Sequence, residues 1–403
     1  MRKIETSQQQ LTLALVSAVV VPQLGMGMIV PALPELATSL RLSTSLAQDT
    51  LIVYMVGYAI SVLLAGWLAD RFGPRRVQIG GLILAVLGAC LATQAHNILL
   101  LMVARFIQAV GGCAGTVTAR LIVSREYVPQ RRMPILTTLS SAIAITPCLA
   151  PLAGSALLPL VGWRGIFGMM ALLTLMILVF FTFASRRLAA APPNAVPLHR
   201  LGTIYRRNLR LPLFRLYALS ICFAWMAWFV FVSCSSGPMQ QQLGLTPQQY
   251  AALLSASAIG YVAGSMLARR MAIRRDIDLI IQWAAGIGAL GGGLLVALNL
   301  MLTPTSLTLM APMLIILLSV GMVIPATQAG LLRSVTEDTG ASSGLFFFLQ
   351  MMAGAAWAAI SNLWQPMSVT LLAILIAIPA LLLPFLFHRV HTRLRVEEKG
   401  LQG

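Results

Sequence analysis

The chain has 403 residues, 58% of them hydrophobic and only 10% charged, with a formal net charge of +17 and a mean hydropathy of +0.86. A soluble globular domain of this length is excluded, since such domains are about 45–50% apolar and about 25% charged. The basic excess invites a nucleic-acid reading, but the places where the cations fall along the chain argue for membrane topology instead.

Twelve apolar windows can be marked, at 11–30, 46–69, 77–95, 98–124, 135–160, 165–185, 213–236, 248–270, 278–300, 307–331, 341–363 and 368–388. Each is long enough to cross a hydrocarbon core of about 30 Å. No cleavable signal peptide is expected, because Met1 to Gln10 is polar and the first apolar run leads into Pro31-Ala-Leu-Pro34. That first window carries Pro22, Gly25 and Gly27 and no ionisable residue. A Pro/Gly-interrupted helix is tolerated in a membrane where it packs on neighbours or lines a cavity.

The second window opens with Asp49 and carries Tyr54, Tyr58 and Ser61 at helical spacing, hence on one face. It ends in Gly66-Trp67-Leu68-Ala69-Asp70-Arg71-Phe72-Gly73-Pro74-Arg75-Arg76. Here Gly66 is expected to allow close helix approach and Gly73 to supply the positive φ of a reversal. Asp70 at a helix C-terminus opposes the dipole and calls for a cationic or helix-N-terminal partner. Asp70, Arg71 and Arg75 are therefore expected to form a charge cluster with Glu126, a gate that closes and opens during function; the alternative is a topogenic basic loop with an incidental acid.

In the fourth window Arg105, Gln108, Gly112, Thr116 and Arg120 fall within about 120° of one another on a helix. An arginine at mid-helix costs roughly 2.5–3.5 kcal/mol to insert, so this stripe is expected to face protein or a cavity; Arg120 could instead snorkel to the interface. In the fifth window Pro147, Pro151 and Gly154 suggest a bend. Residues 186–212 form an Arg-rich connector with Pro192, Pro193 and Pro197, dividing the windows six and six. The expected fold is thus an all-α membrane protein of two six-helix bundles, 1–185 and 213–403, joined by a cytoplasmic linker. The second half echoes the hinge at Gly264 to Arg275 without the Asp. Paired halves of this kind alternate access around a midplane site. Trp225 and Trp228 in the seventh window and Gln350 in the eleventh are candidate cavity residues, with helix packing as the alternative.

With the N-terminus cytoplasmic, all of the 28 basic residues except Arg41, Arg164, Arg105 and Arg120 lie in cytoplasmic segments. That is the positive-inside pattern, and it puts both termini in the cytoplasm. The five cysteines lie in or at the ends of apolar windows without metal-like spacing, and no histidine sits mid-span, so no metal or cofactor is expected. Asp49 is the acid best placed to enter the membrane and is the candidate proton-coupling residue; it equally suits a solvated helix start.

The two sixes and the hinge resemble the major facilitator superfamily, and Gly66-x-Leu68-Ala69-Asp70-Arg71-x-Gly73 is similar to its signature loop, with Pro74 where a basic residue usually stands. Arg105-Phe-Ile-Gln108-Ala-Val-Gly111 resembles the fourth-helix motif of the drug:proton antiporters, and Pro147 to Gly154 resembles their fifth-helix motif, with Ala150 in place of the usual Gly. Pro31 to Pro34, Gly162-Trp163-Arg164-Gly165-Ile-Phe167 and Gly340 to Gln350 look most like the Bcr/CflA type of efflux carrier. The resemblance implies a proton-coupled exporter of small molecules in a bacterial inner membrane, monomeric and without nucleic-acid partners. It also implies conformational roles for the hinge residues and for Arg105. One departure stands out: many such carriers have an Asp just before the Pro-Ala-Leu-Pro run, where this chain has Gly27. An enzyme reading finds no His-Glu-x-x-His, paired intramembrane aspartates or Ser/His constellation. A sensor or scaffold would be expected to carry an effector domain. Two basic residues in the fourth window and no first-helix acid leave export of an anionic metabolite, such as a carboxylate siderophore, as the alternative to multidrug efflux.

Overall fold

The computed structural model describes residues 2–186, 188, 198–335, 339–364 and 366–401, so part of the expected linker, at 187 and 189–197, lies outside the described residues. The apolar runs form helices because each can satisfy its backbone only internally in a membrane. They are α1 (Arg2–Gly27), α2 (Leu33–Ser39), α3 (Thr44–Phe72), α4 (Pro74–Thr93), α5 (Ile98–Glu126), α6 (Pro129–Ala184) and α7 (Leu198–Arg210), followed by α8 (Pro212–Cys234), α9 (Pro247–Met271), α10 (Ile277–Met301), α11 (Ser306–Ser334), α12 (Thr339–Ser361) and α13 (Val369–Leu401). Local chemistry sets several starts. The Ser43 side chain accepts from Leu46 N, Asn97 accepts from Leu100 N, and Thr246 forms a reciprocal capping box with Gln249. Pro74, Pro129, Pro212 and Pro247 open helices where no backbone donor is needed.

Among the described residues, 11 helical stretches are long and apolar enough to cross a membrane. One of them, α6, runs for 56 residues and would be about 84 Å long if unbroken. It is interrupted at Gly162, whose φ of 64° and ψ of 177° leave the helical region. Its second stretch starts with free N–H groups, and the Glu35 carboxylate on α2 accepts from Trp163 N at 3.2 Å. An acid at a helix N-terminus suits both the orphan donor and the dipole. The Arg164 guanidinium lies 4.1 Å from the Trp163 ring centre and donates to the Ala95 carbonyl, holding the break in place.

The break in helical torsions thus falls at Gly162. Around Pro147 and Pro151 every residue keeps helical φ and ψ. Gly66 differs from expectation: a Cβ there would meet nothing within 4 Å among the described residues. Close approaches occur elsewhere, as between α4 and α5, where a Cβ on Gly81 would lie 2.6 Å from the Gly111 carbonyl oxygen. Small residues matter here because lipid supplies no hydrophobic drive between helices and backbone proximity supplies packing.

The chain divides into two compact units, Met1–Arg200 and Leu201–Gly403. In the first, α5 packs on α3 and α4, and α1 packs on α6; in the second, α11 packs on α9 and α10, and α8 packs on α12. The two halves thus repeat one packing scheme. The connector is not featureless: α7 belongs to the second unit, burying Leu201, Ile204 and Asn208, with Asn208 Nδ2 donating to Ser342 Oγ of α12 at 2.7 Å.

Candidate functional site

At the hinge, Gly73 closes α3 with φ 88° and donates its N–H to the Ala69 carbonyl. Only a residue tolerant of positive φ can end α3 and start α4 within one position. Asp70 finds its cationic partner in Arg125 on α5, Nη2 to Oδ1 2.8 Å, with the two side chains 42% and 37% exposed. The expected cluster is differently built. Arg71 stacks near Trp67 and Phe72, at 5.4 and 5.7 Å from the ring centres. Arg75 Nε donates to Ser185 Oγ at the end of α6 (3.1 Å), and Glu126 is exposed and makes no ion pair among the described residues. Beside this pair, Tyr127 donates to the Gln8 carbonyl (3.1 Å) and shares a 2.9 Å bond with Thr12, tying the α5–α6 turn to α1. Arg125, Tyr127 and Ser185 carry these ties, and no spacing in the sequence marks them as partners of residues 55 to 119 positions away.

The Arg105 end of the polar stripe of α5 packs against α1 and α3. Arg105 is fully buried, with Nη1 donating to the Gly25 carbonyl at 2.7 Å and to Gln108 Oε1 at 2.6 Å. Its guanidinium lies 4.1 Å from the Tyr54 ring centre and 5.5 Å from that of Phe167. Gly25 is in the last turn of α1, so Arg105 satisfies an orphan carbonyl and places a cation at the negative end of that helix. Tyr54 continues the same tie, its hydroxyl donating to the Pro22 carbonyl at 3.0 Å. Arg105 Nε and Nη2 are buried without a hydrogen-bond partner among the described residues.

Further along the stripe, Tyr58 accepts from Gln23 Nε2 at 3.5 Å and lies beside Thr116 and Arg120. Thr116 is buried and Arg120 exposed, so the stripe passes from an enclosed end at Arg105 to an open end at Arg120. Asp49 is half-buried in the second turn of α3. Pro147 lies in the first stretch of α6, and the segment Ala150 to Gly154 rests on the end of α1. A Cβ on Gly27 would stand 2.7 Å from Ala150 Cβ, and one on Gly154 would overlap the Met28 carbonyl. Gly27 and Ala150, two of the three departures from the carrier pattern, are therefore each other's neighbours.

In the second unit Trp225 and Trp228 stack at 4.4 Å between ring centres, tilted by 53°. The Trp225 ring packs over Gly354 on α12, one turn beyond Gln350. Trp225 Nε1 and Gln350 Oε1 are both buried with no hydrogen-bond partner among the described residues. The unmet donor is on α8 and the unmet acceptor on α12, and a buried polar atom without a partner carries a desolvation cost. The acid absent from the second hinge is displaced onto α10, where Asp278 accepts from Tyr217 at 2.8 Å.

The chain is 26% identical over 385 residues to the multidrug resistance protein D of Escherichia coli K12, covering 95% of this chain and 96% of that protein. It is 27% identical over 334 residues to a chloramphenicol resistance protein of Pseudomonas aeruginosa, covering 81% and 77%. Among solved structures, a peptide transporter POT in complex with sulfate superposes with a TM-score of 0.77 at 17% identity, covering 95% of this chain and 94% of that one, a likeness of fold. The family model described as Major Facilitator Superfamily matches residues 15–359, and the chain accordingly belongs to the major facilitator superfamily.

Proposed function

We propose that the protein is a secondary active exporter of small amphipathic molecules in the inner membrane of a bacterium, exchanging substrate for protons by alternating access. The observation that carries this reading is end-to-end similarity to a multidrug resistance protein, with 95% of this chain aligned. Twelve crossings follow if α6 crosses twice, once on each side of Gly162; its two stretches then match α12 and α13 of the other unit, since α6 packs on α4 as α13 packs on α10. The positive-inside pattern places both termini in the cytoplasm. In this reading the Asp70–Arg125 pair at Gly73 is the conformational latch. Tyr58, Thr116 and Arg120 are the candidate substrate contacts of the first unit, Trp225, Trp228 and Gln350 are separately those of the second, and Asp49 is the candidate proton carrier.

Arg105 favours this over export of anions. It is 0% exposed, and its Nη1 bond to the Gly25 carbonyl and its contact with the Tyr54 ring support a role in holding α1. Everted vesicles from cells expressing the full chain test the proposal. Uncoupler-sensitive accumulation of at least one lipophilic compound from a chemically diverse panel is expected. Verified insertion with no accumulation of any compound above empty-vector vesicles would overturn it.

A further inference from the structure

Helices α3 and α4 diverge from the Gly73 hinge while both pack along α5, and the wedge between them is a groove of about 380 Å³. Gly81, Val110 and Ala114 line it on the buried side, and Leu64, Phe72 and Leu84 form walls that are 37%, 50% and 41% exposed. Two polar side chains reach it. The Ser61 hydroxyl is already used, donating to the Val110 carbonyl at 2.8 Å. The other is Arg76, which is exposed and has no hydrogen-bond or ion-pair partner among the described residues. Arg71, stacked near Phe72, adds a second cation at the same end.

An apolar trough that ends in unsatisfied guanidinium groups has the polarity of a phospholipid, with chain along the trough and phosphate at its end. Water does not hold an apolar groove of this kind, which lacks the polar partners it needs. Basic sites between helices on the cytoplasmic side suit anionic head groups, and arginine offers a fork that matches phosphate oxygens. We propose that this groove binds one acyl chain of an anionic membrane phospholipid, whose phosphate is held by Arg76 with Arg71 beside it. The inference rests on the membrane orientation proposed above. The groove flanks the hinge on both sides, through Phe72 and Arg76, so an occupied groove bears directly on the angle between α3 and α4.

Native mass spectrometry of the delipidated, detergent-purified full chain tests the site without requiring transport, so its failure is distinct from failure of the exporter reading. Phosphatidylglycerol is titrated against phosphatidylcholine of the same chains. Wild type should retain phosphatidylglycerol about five-fold better, the effect of about one basic residue at a membrane surface. Arg76→Gln should abolish that preference, while Arg274→Gln, an exposed arginine in the α9–α10 turn, should keep it. Gly80→Leu puts a bulky side chain into the groove from a position where a Cβ meets nothing within 4 Å, and should lower retention of both lipids. Equal retention of the two lipids by wild type, a preference unchanged in Arg76→Gln, or retention of both lipids unchanged in Gly80→Leu would overturn the assignment.

Discussion

Replacing Arg105 with glutamine separates a helix-tying arginine from a substrate-binding one. The shorter side chain loses the 2.7 Å bond to the Gly25 carbonyl and the stacking on Tyr54 at 4.1 Å. An interhelical hydrogen bond inside a membrane protein is worth about 0.6–1.7 kcal/mol. A desolvated cation–π contact adds about 2 kcal/mol, and a cation at a partly buried helix C-terminus up to about 2 kcal/mol. These contributions share one charge and do not add fully, so the expected loss is about 2–4 kcal/mol. Arg105→Lys keeps the charge but not the fork, and should fall between glutamine and wild type. The assay pairs denaturation of the purified variant with vesicle transport of one cationic, one neutral and one anionic compound. A destabilised protein that transports all three in equal proportion less is the expected result. An Arg105→Gln protein as stable as wild type to within about 0.5 kcal/mol, having lost only the anionic compound, would refute the reasoning.

Asp70→Asn should remove the latch and cut transport severely while insertion and stability change little, because a half-exposed pair contributes at most about 1 kcal/mol; Glu126→Gln should transport like wild type, as it makes no ion pair among the described residues. Gly27→Asp should be poorly folded by size-exclusion chromatography, because its Cβ crowds Ala150, and Gly27→Asp combined with Ala150→Gly should recover folded protein and shift preference towards cationic substrates. Gly154→Ala should lose at least about 2 kcal/mol through overlap with the Met28 carbonyl, whereas Gly66→Ala, in open space within a helix, should gain about 0.5–1 kcal/mol; thermal denaturation reads both. Asp49→Asn should abolish the dependence of efflux on the pH gradient, measured by imposing opposite gradients on vesicles; an unchanged dependence would place the proton elsewhere.

Composition and apolar run length were enough to establish a polytopic helical membrane protein, because in lipid every backbone group must be satisfied within its own helix, whatever surrounds it. The hinge was legible for the same local reason: Gly73 between two apolar runs has few alternatives to a positive-φ reversal, and its φ is 88°. Periodicity placed Arg105, Gln108 and Thr116 on one face of α5, but a single helix does not say what that face meets. That it meets α1, making Arg105 a clasp on the Gly25 carbonyl, is a property of the packed unit. The partner of Asp70 was decided the same way. Arg125 and Glu126 are adjacent in sequence, and the rotation of α5 against α3 turns the arginine towards the acid and leaves the glutamate exposed. Proline spacing pointed to a bend at 147–151, while the break in helical torsions falls at Gly162, where Glu35 from a distant helix caps the new start. The contact between Gly27 and Ala150, like the groove between α3 and α4, exists only once helices far apart in sequence lie side by side. Sequence periodicity specifies the face of a helix, and only packing specifies its neighbour.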